Sequence, residues 1–261
     1  MKTLIVLVIS TLIAGTNIYT DDNGSVLPIN SEVAEMHPDP KAQMLIDQSV
    51  AAHGGDRYDK AHYSFVFRKK QFEFKNNGDS YHYKSTSTKD GVTTIDVLNN
   101  DGFTRQVNGE PVTLTDAKQL GYGNGLNSVI YFATLPYKLQ DKAVQKAYKG
   151  TATVKGNNYD VVEITFREEG GGTDHDDTFH YWINQSNHRI DFLAYNYKVN
   201  RGGVRFRTAQ NTREVDGILF QDYINYKAEV GTPLIDLPGL WEEGQLKELS
   251  KILTEDVKSL R

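Results

Sequence analysis

The stretch "GGGTDHDDTFHYWINQSNHRIDFLAYNY", residues 170–197, decides the fold: it is either a metal or catalytic cluster or two strands joined by a polar turn. Three histidines and four aspartates stand in it beside six aromatic residues. A half-buried strand alternates with a period of two, and the stretch does so. Asp177, Phe179, Tyr181 and Ile183 fall on one side, with Thr178, His180 and Trp182 on the other. "NQSN" (184–187) is a turn of the kind that Asn and Ser favour. The returning run puts Ile190, Phe192 and Ala194 on one side and Leu193, Tyr195 and Tyr197 on the other. Both faces carry apolar groups, so the sheet must be covered on both sides or line a cavity on one.

Spacing speaks against the metal. His175 and Asp177 share a parity while His180 points away from them, so a regular strand brings no two histidines together. No His-x-x-x-His pair is present, and the aspartates do not follow the Asp-x-Asp-x-Asp-Gly calcium loop. His175 and Asp177 remain the candidate metal ligands if a bulge at "GGGTD" (170–174) bends the chain. That bulge would permit an alternative function, a metal-assisted hydrolase or lyase built on the Asp/His cluster of residues 174–180.

Working outward, "VRFRTAQNTR" (204–213) reads as a neighbouring strand with Arg205, Arg207 and Arg213 on one parity. Arginines in register offer forked donors to a carboxylate, phosphate or sulfate. They can equally pair across strands with Asp176, Asp177 or Asp191. Both readings stand at this level.

The flanks are hairpins and a few helices. "YSFVFRKKQFEF" (63–74) alternates as one strand, and turn signals follow at "NNGDS", "KDG", "NNDG" and "NGEP". Later turns fall at "KGNN" (155–158) and "VDG" (215–217). Such short connections force antiparallel pairing. A first helix starts at Pro40 with Met44, Leu45, Gln48 and Ala52 on its stripe, and Gly54 or Gly55 stops it. Glycines confine a middle helix to residues from Leu126 onward, where Leu126, Val129, Ile130 and Ala133 share a face. "WEEGQLKELSKILTEDVKSL" (241–260) gives a closing helix with Leu246, Leu249, Leu253, Val257 and Leu260 in line. Strand runs flanked by helices indicate the α+β class.

The 261 residues include no cysteine, which excludes thiol catalysis and zinc–thiolate sites. A net charge of −5 leaves no footprint for nucleic acid. There is no Gly-x-Ser-x-Gly elbow or phosphate loop, and no cofactor is implied. "MKTLIVLVISTLIAG" (1–15) has the basic start and short apolar run of a secretory signal peptide, well below the roughly 20 residues that span a bilayer. Residues 16–37 read as an extended leader and residues 38–261 as a single domain, placed in the periplasm or outside the cell.

Four stretches together resemble a known group: "AHGGDRYDKAHYSFVFRKKQF" (52–72), "FATLPYKLQD" (132–141), "DHDDTFHYWINQSNHRIDFLAYNY" (174–197) and "GVRFRTAQNTREVDGILFQDY" (203–223). The chain resembles an uncharacterised family of periplasmic envelope proteins whose fold is similar to the outer-membrane lipoprotein carriers (LolA/LolB-like), from about Lys41 to Tyr226. The resemblance implies an incomplete antiparallel β-barrel of about eleven strands wrapped around a few helices. In the carriers, acyl chains lie between barrel and helices. The expectation is therefore a non-enzymatic binding or carrier protein for a lipid, acylated protein or other apolar ligand. Tyr181, Phe192 and Tyr195 would meet the apolar part, with Arg205 and Arg207 at the polar end. Transient contact with the envelope membrane is expected, and none with nucleic acid. The carriers' lid-controlling arginine has no counterpart that can be placed on this sequence.

Overall fold

Asp39 caps the first helix, accepting from the Lys41 and Ala42 amides at 3.0 Å each. The computed structural model describes residues 39–167, 177–198 and 201–261. The expected signal peptide and leader lie outside these residues. Helix α1 (Pro40–His53) buries Ala42, Leu45, Ile46, Ser49, Val50 and His53. The expected stripe was one step off, since Met44 is 48% exposed. The buried face recruits a serine and a histidine, which a count of apolar residues does not register. His53 is a neutral core group: burial pushes its pKa down to about 3, and its Nε2 accepts from the Ile190 amide at 3.4 Å. Gly54, at φ 142°, then ends the helix.

The Asp39 carboxylate also accepts from the Tyr148 amide at 2.7 Å, tying α1 to the strand beneath it. That bond is the main reason its pKa lies below the ordinary value. A group depressed on folding stabilises above its unfolded pKa and ceases to do so as pH falls through the folded one. Asp39→Ala is expected to cost about 1–2 kcal/mol at neutral pH, the usual worth of a cap. Below the unfolded value of 3.8, wild-type stability should fall more steeply than that of Asp39→Asn in urea titrations run at several pH values. Parallel pH profiles would refute this role.

Two seven-stranded antiparallel sheets follow. The first is built from β1 (His62–Phe67), β2 (Lys70–Asn77), β3 (Ser80–Lys89), β4 (Val92–Asn99), β5 (Gly102–Val107) and β6 (Glu110–Pro111). The second contains β7 (Val144–Val154), β8 (Asn157–Phe166), β9 (Thr178–Asn184), β10 (Ile190–Tyr197), β11 (Gly203–Val215) and β12 (Ile218–Ala228). Each is a meander of neighbours in sequence, completed by one late strand: β13 (Lys247–Ile252) beside β12, and β14 (Glu255–Ser259) beside β1. The chain thus passes from one sheet to the other between β13 and β14. Helix α2 (Asp116–Ala133) packs on β3, β4 and β5, while α1 packs on β7, β8 and β12. The result is the α+β, incomplete antiparallel barrel that the resemblance implied, with fourteen strands among the described residues.

Three local expectations are corrected. The alternating run 63–74 is two strands, because Arg68 and Lys69 take φ of 49° and 65° and form a tight turn. That left-handed pair is usually signalled by Asn-Gly or Gly, and Arg-Lys gives no such sign. Helix α2 runs unbroken through Gly121, Gly123 and Gly125. Glycine costs roughly 0.5–1 kcal/mol per helical position, and burial of Leu126 and Ile130 in the first sheet's core outweighs it. The expected C-terminal helix over 241–260 is absent. A short helix α3 (Leu237–Glu242) stops before Gly244, at φ 71°, and the rest becomes β13 and β14. The open edges of β12 and β1 offer unpaired N–H and C=O groups, and pairing them there satisfies both segments.

The second sheet is apolar on both faces, and each face is covered. Its inner face joins Phe179, Tyr181, Ile183 and Leu193 to α1 residues Leu45 and Ile46. Its outer face puts Trp182, Phe192, Ala194 and Phe206 under Leu234 and Leu237. Pairing of Trp182 with Phe192 and Tyr181 with Leu193 fixes this division. A register shift between Ile190 and Phe192 sends Ile190 inward, against the simple alternation.

Candidate ligand-binding cavity

Between the two sheets and α2 lies a cavity of about 440 Å³, within the range of small-ligand sites. Its apolar wall comes from three elements: Phe65 and Phe67 of β1, Val129, Phe132 and Ala133 of α2, and Phe179 of β9. The polar wall comes from β10, β11 and β12, through Tyr195, Tyr197, Arg205, Arg207, Gln221, Tyr223 and Asn225. Arg205 and Arg207 fall on the cavity side because β11 alternates regularly there, opposite Lys227 and Asn225.

Arg207 is held in place by aromatics. It donates to the Tyr195 hydroxyl at 2.8 Å and its guanidinium sits 4.0 Å from the Phe132 ring centre. Only 7% of it is exposed, and its Nε has no hydrogen-bond partner. Arg205 donates to the Tyr197 hydroxyl and to the Val204 carbonyl. Tyr223 lies deeper, its hydroxyl pKa pushed up to about 12 by burial, and it accepts from Gln221 Nε2 at 3.3 Å. Among the described lining residues, three arginines (Arg68, Arg205, Arg207) face one aspartate, Asp177. The cavity is therefore a hydrophobic slot with a positive end.

The structure sorts the sequence candidates. Tyr195, Arg205 and Arg207 meet at the cavity. Tyr181 is on the same face but sealed in the core behind it, fully buried, its hydroxyl pKa raised well above the ordinary value by desolvation. Phe192 is on the opposite face, stacked on Phe206 at 5.7 Å beneath Trp241. Neither touches the cavity: one lies too deep, and the other is on the wrong side of the pleat. Arg213 also leaves the row, because a bulge between Gln210 and Arg213 reverses its side. It binds Asp222 at 3.3 Å and the Thr254 hydroxyl at 2.8 Å. Asp191, one of the expected cross-strand partners, instead accepts from Tyr159 and Asn184.

Of the metal candidates, His175 and Asp176 lie outside the described residues, and Asp177 lines the cavity. Among the described residues no group of three His, Asp or Glu side chains is placed to hold a metal. His180 sits on the outer face, bonded through Nε2 to Glu163 at 3.1 Å, with its pKa lowered by burial. Sequence reasoning missed Phe65, Phe67, Phe132, Gln221, Tyr223 and Asn225. The alternation of Phe65 with Phe67 was a usable signal, whereas inward polar positions such as Gln221 look like solvent-facing ones.

A family model described as "Family of unknown function (DUF6503)" matches residues 33–254. No curated protein matches the chain in sequence. Among solved structures, a LolA superfamily protein from Nitrosomonas europaea is similar at 12% identity and a TM-score of 0.50, over 83% of this chain and 92% of that one. A DUF1329 family protein from Desulfovibrio piger gives 12% identity and 0.46, over 84% and 93%. An outer-membrane lipoprotein-sorting protein domain from Vibrio parahaemolyticus gives 9% and 0.45, over 84% and 92%. The last two scores are too low to carry an argument. The first shows a LolA-like fold and, at that identity, the fold alone.

Proposed function

The chain belongs to this family of unknown function (DUF6503), and from its own cavity we propose that it is a non-enzymatic binding or carrier protein for an amphipathic, lipid-like ligand. The observation that carries the reading is the division of one cavity into an aromatic wall and an arginine–tyrosine end. An alkyl chain laid against Phe65, Phe67, Val129 and Phe132 gains about 0.8 kcal/mol per buried methylene. Ten methylenes give about 8 kcal/mol before the cost of immobilising the ligand is subtracted. The polar end then fixes orientation. A guanidinium keeps its charge across the physiological range, and the Tyr223 hydroxyl, its pKa pushed up to about 12 by burial, stays protonated well beyond it. Such groups bind charge rather than exchange protons, as a carrier requires.

An export signal at residues 1–15 would place the domain in the periplasm or outside the cell, where a shielded slot lets an insoluble molecule cross water. The LolA-like fold agrees with this use by analogy only. Native mass spectrometry of protein purified from a bacterial envelope without detergent tests the proposal. The expected result is an added mass that extracts into organic solvent. A clean apo mass that stays clean after incubation with mixed envelope lipids would sink it.

A further inference from the structure

The side chains that line the polar end of the cavity carry buried, unpartnered atoms of two opposite kinds. Arg207 Nε is a buried donor without an acceptor, and Gln221 Oε1 is a buried acceptor without a donor. Both side chains are only 7% exposed and both line the cavity. The orientation of Gln221 is fixed, because its Nε2 donates to the Ile190 carbonyl at 2.9 Å and to Tyr223 at 3.3 Å. Its oxygen therefore faces away from those partners. Asn225, directly opposite Arg207 in the β11–β12 pairing, adds a second buried acceptor, Oδ1, without a partner. These cross-strand neighbours do not satisfy each other.

A buried polar atom left unpaired keeps the cost of its lost hydration, so a ligand that pairs it recovers that cost on binding. A plain anion answers only half the demand. It accepts from Arg207 Nε and from the Tyr195 hydroxyl, whose oxygen is already engaged by Arg207 Nη2 and whose hydrogen is the part left to give. It offers nothing to Gln221 or Asn225. An alcohol donates to Gln221 or Asn225 and its oxygen accepts from Arg207, but it brings no charge to offset the guanidinium. A cation meets three arginines against one aspartate among the described lining residues.

We propose that this site selects an amphiphile whose head carries an anionic oxygen and, beside it, an O–H or N–H donor: a hydroxy-acid or N-acyl amino acid type of head. The anion takes Arg207 and Tyr195, and the donor is accepted by Gln221 Oε1 and Asn225 Oδ1. This rests on the carrier reading above and narrows it to a ligand class.

Titration calorimetry on delipidated full-length protein, with four probes of matched chain length, tests it. These are dodecanoate, 2-hydroxydodecanoate, N-dodecanoylglycine and dodecanol, each below its micelle concentration. At least one of the two donor-bearing acids should bind about tenfold tighter than dodecanoate, and which one does separates O–H from N–H recognition. Gln221→Met should erase that preference, bringing the donor-bearing acids and dodecanoate to within about threefold of one another on the variant itself. Asn225→Leu offers the same comparison should the first variant fold poorly. Equal binding of all three acids overturns the donor half and leaves the carrier function standing. Dodecanol binding as tightly as the acids overturns the anion half. Binding of no probe overturns the carrier reading itself.

Discussion

Trp182→Ala is expected to lower the unfolding free energy by about 3–5 kcal/mol, the usual range for emptying a large aromatic site in a core. Trp182 is fully buried on the outer face of the second sheet, edge-on to Phe206 at 5.9 Å. Its strand, β9, has neighbours on both sides, so little backbone movement is available to close the hole. For a domain of this size each kcal/mol shifts Tm by about 2–4 °C, which puts the loss within easy reach of a thermal scan. Trp182→Phe sharpens the test. The indole Nε1 is buried without a partner, and phenylalanine removes that liability together with some volume. Its cost should therefore fall well below that of alanine, at about 1–2 kcal/mol. Urea unfolding followed by the remaining Trp241, which packs on Phe192 and Phe206 in the same cluster, measures both. If Trp182→Phe proves as damaging as Trp182→Ala, the indole nitrogen is satisfied and the argument fails.

The same geometry shows why Phe192 reports on stability rather than on the ligand. Aromatic strands with two apolar faces are legible in sequence as buried on both sides, and residues 178–197 show it. Which face borders a cavity is not legible, because that depends on what covers each. Here α3 and the segment before it cover the outer face with Leu234 and Leu237, while α2 and β1 stand off the inner one. Arg205 and Arg207 could be found because a regular strand keeps them in register, whereas Arg213 was lost to one bulge, where Asn211 takes φ 50°. The closing segment failed for a different reason. Leucines at spacings of three and four fit a helix, yet residues 247–252 and 255–259 also fit two sheet edges, and local pattern cannot weigh open edges elsewhere in the chain. Gln221 is the hardest case: nothing local says that the Gln in "LFQDY" is inward and its neighbour Asp222 is bound instead to Thr254 and Arg213.

Val129→Trp is expected to abolish ligand retention while leaving the fold intact. Val129 is half-buried on α2, and its side chain faces the cavity beside Ser128, Phe132 and Ala133. Enlarging a side chain inside a packed core costs about 1–3 kcal/mol because neighbours must move. Here the indole has open volume to enter, so the expected change in stability is close to zero or a gain of about 0.5–2 kcal/mol from cavity filling. The ligand is displaced from that same volume. Excluding five methylenes removes about 4 kcal/mol, and at 1.4 kcal/mol per decade the affinity falls by about three orders of magnitude. A head-group variant such as Arg207→Met acts differently, since it leaves the apolar wall and weakens only the anchoring of the charge. The two variants together separate the sources of affinity: the loss from Val129→Trp should grow with probe chain length, and that from Arg207→Met should not. Native mass spectrometry of Val129→Trp showing the same extractable mass as wild type would place the ligand elsewhere on the molecule, whatever the arginines do.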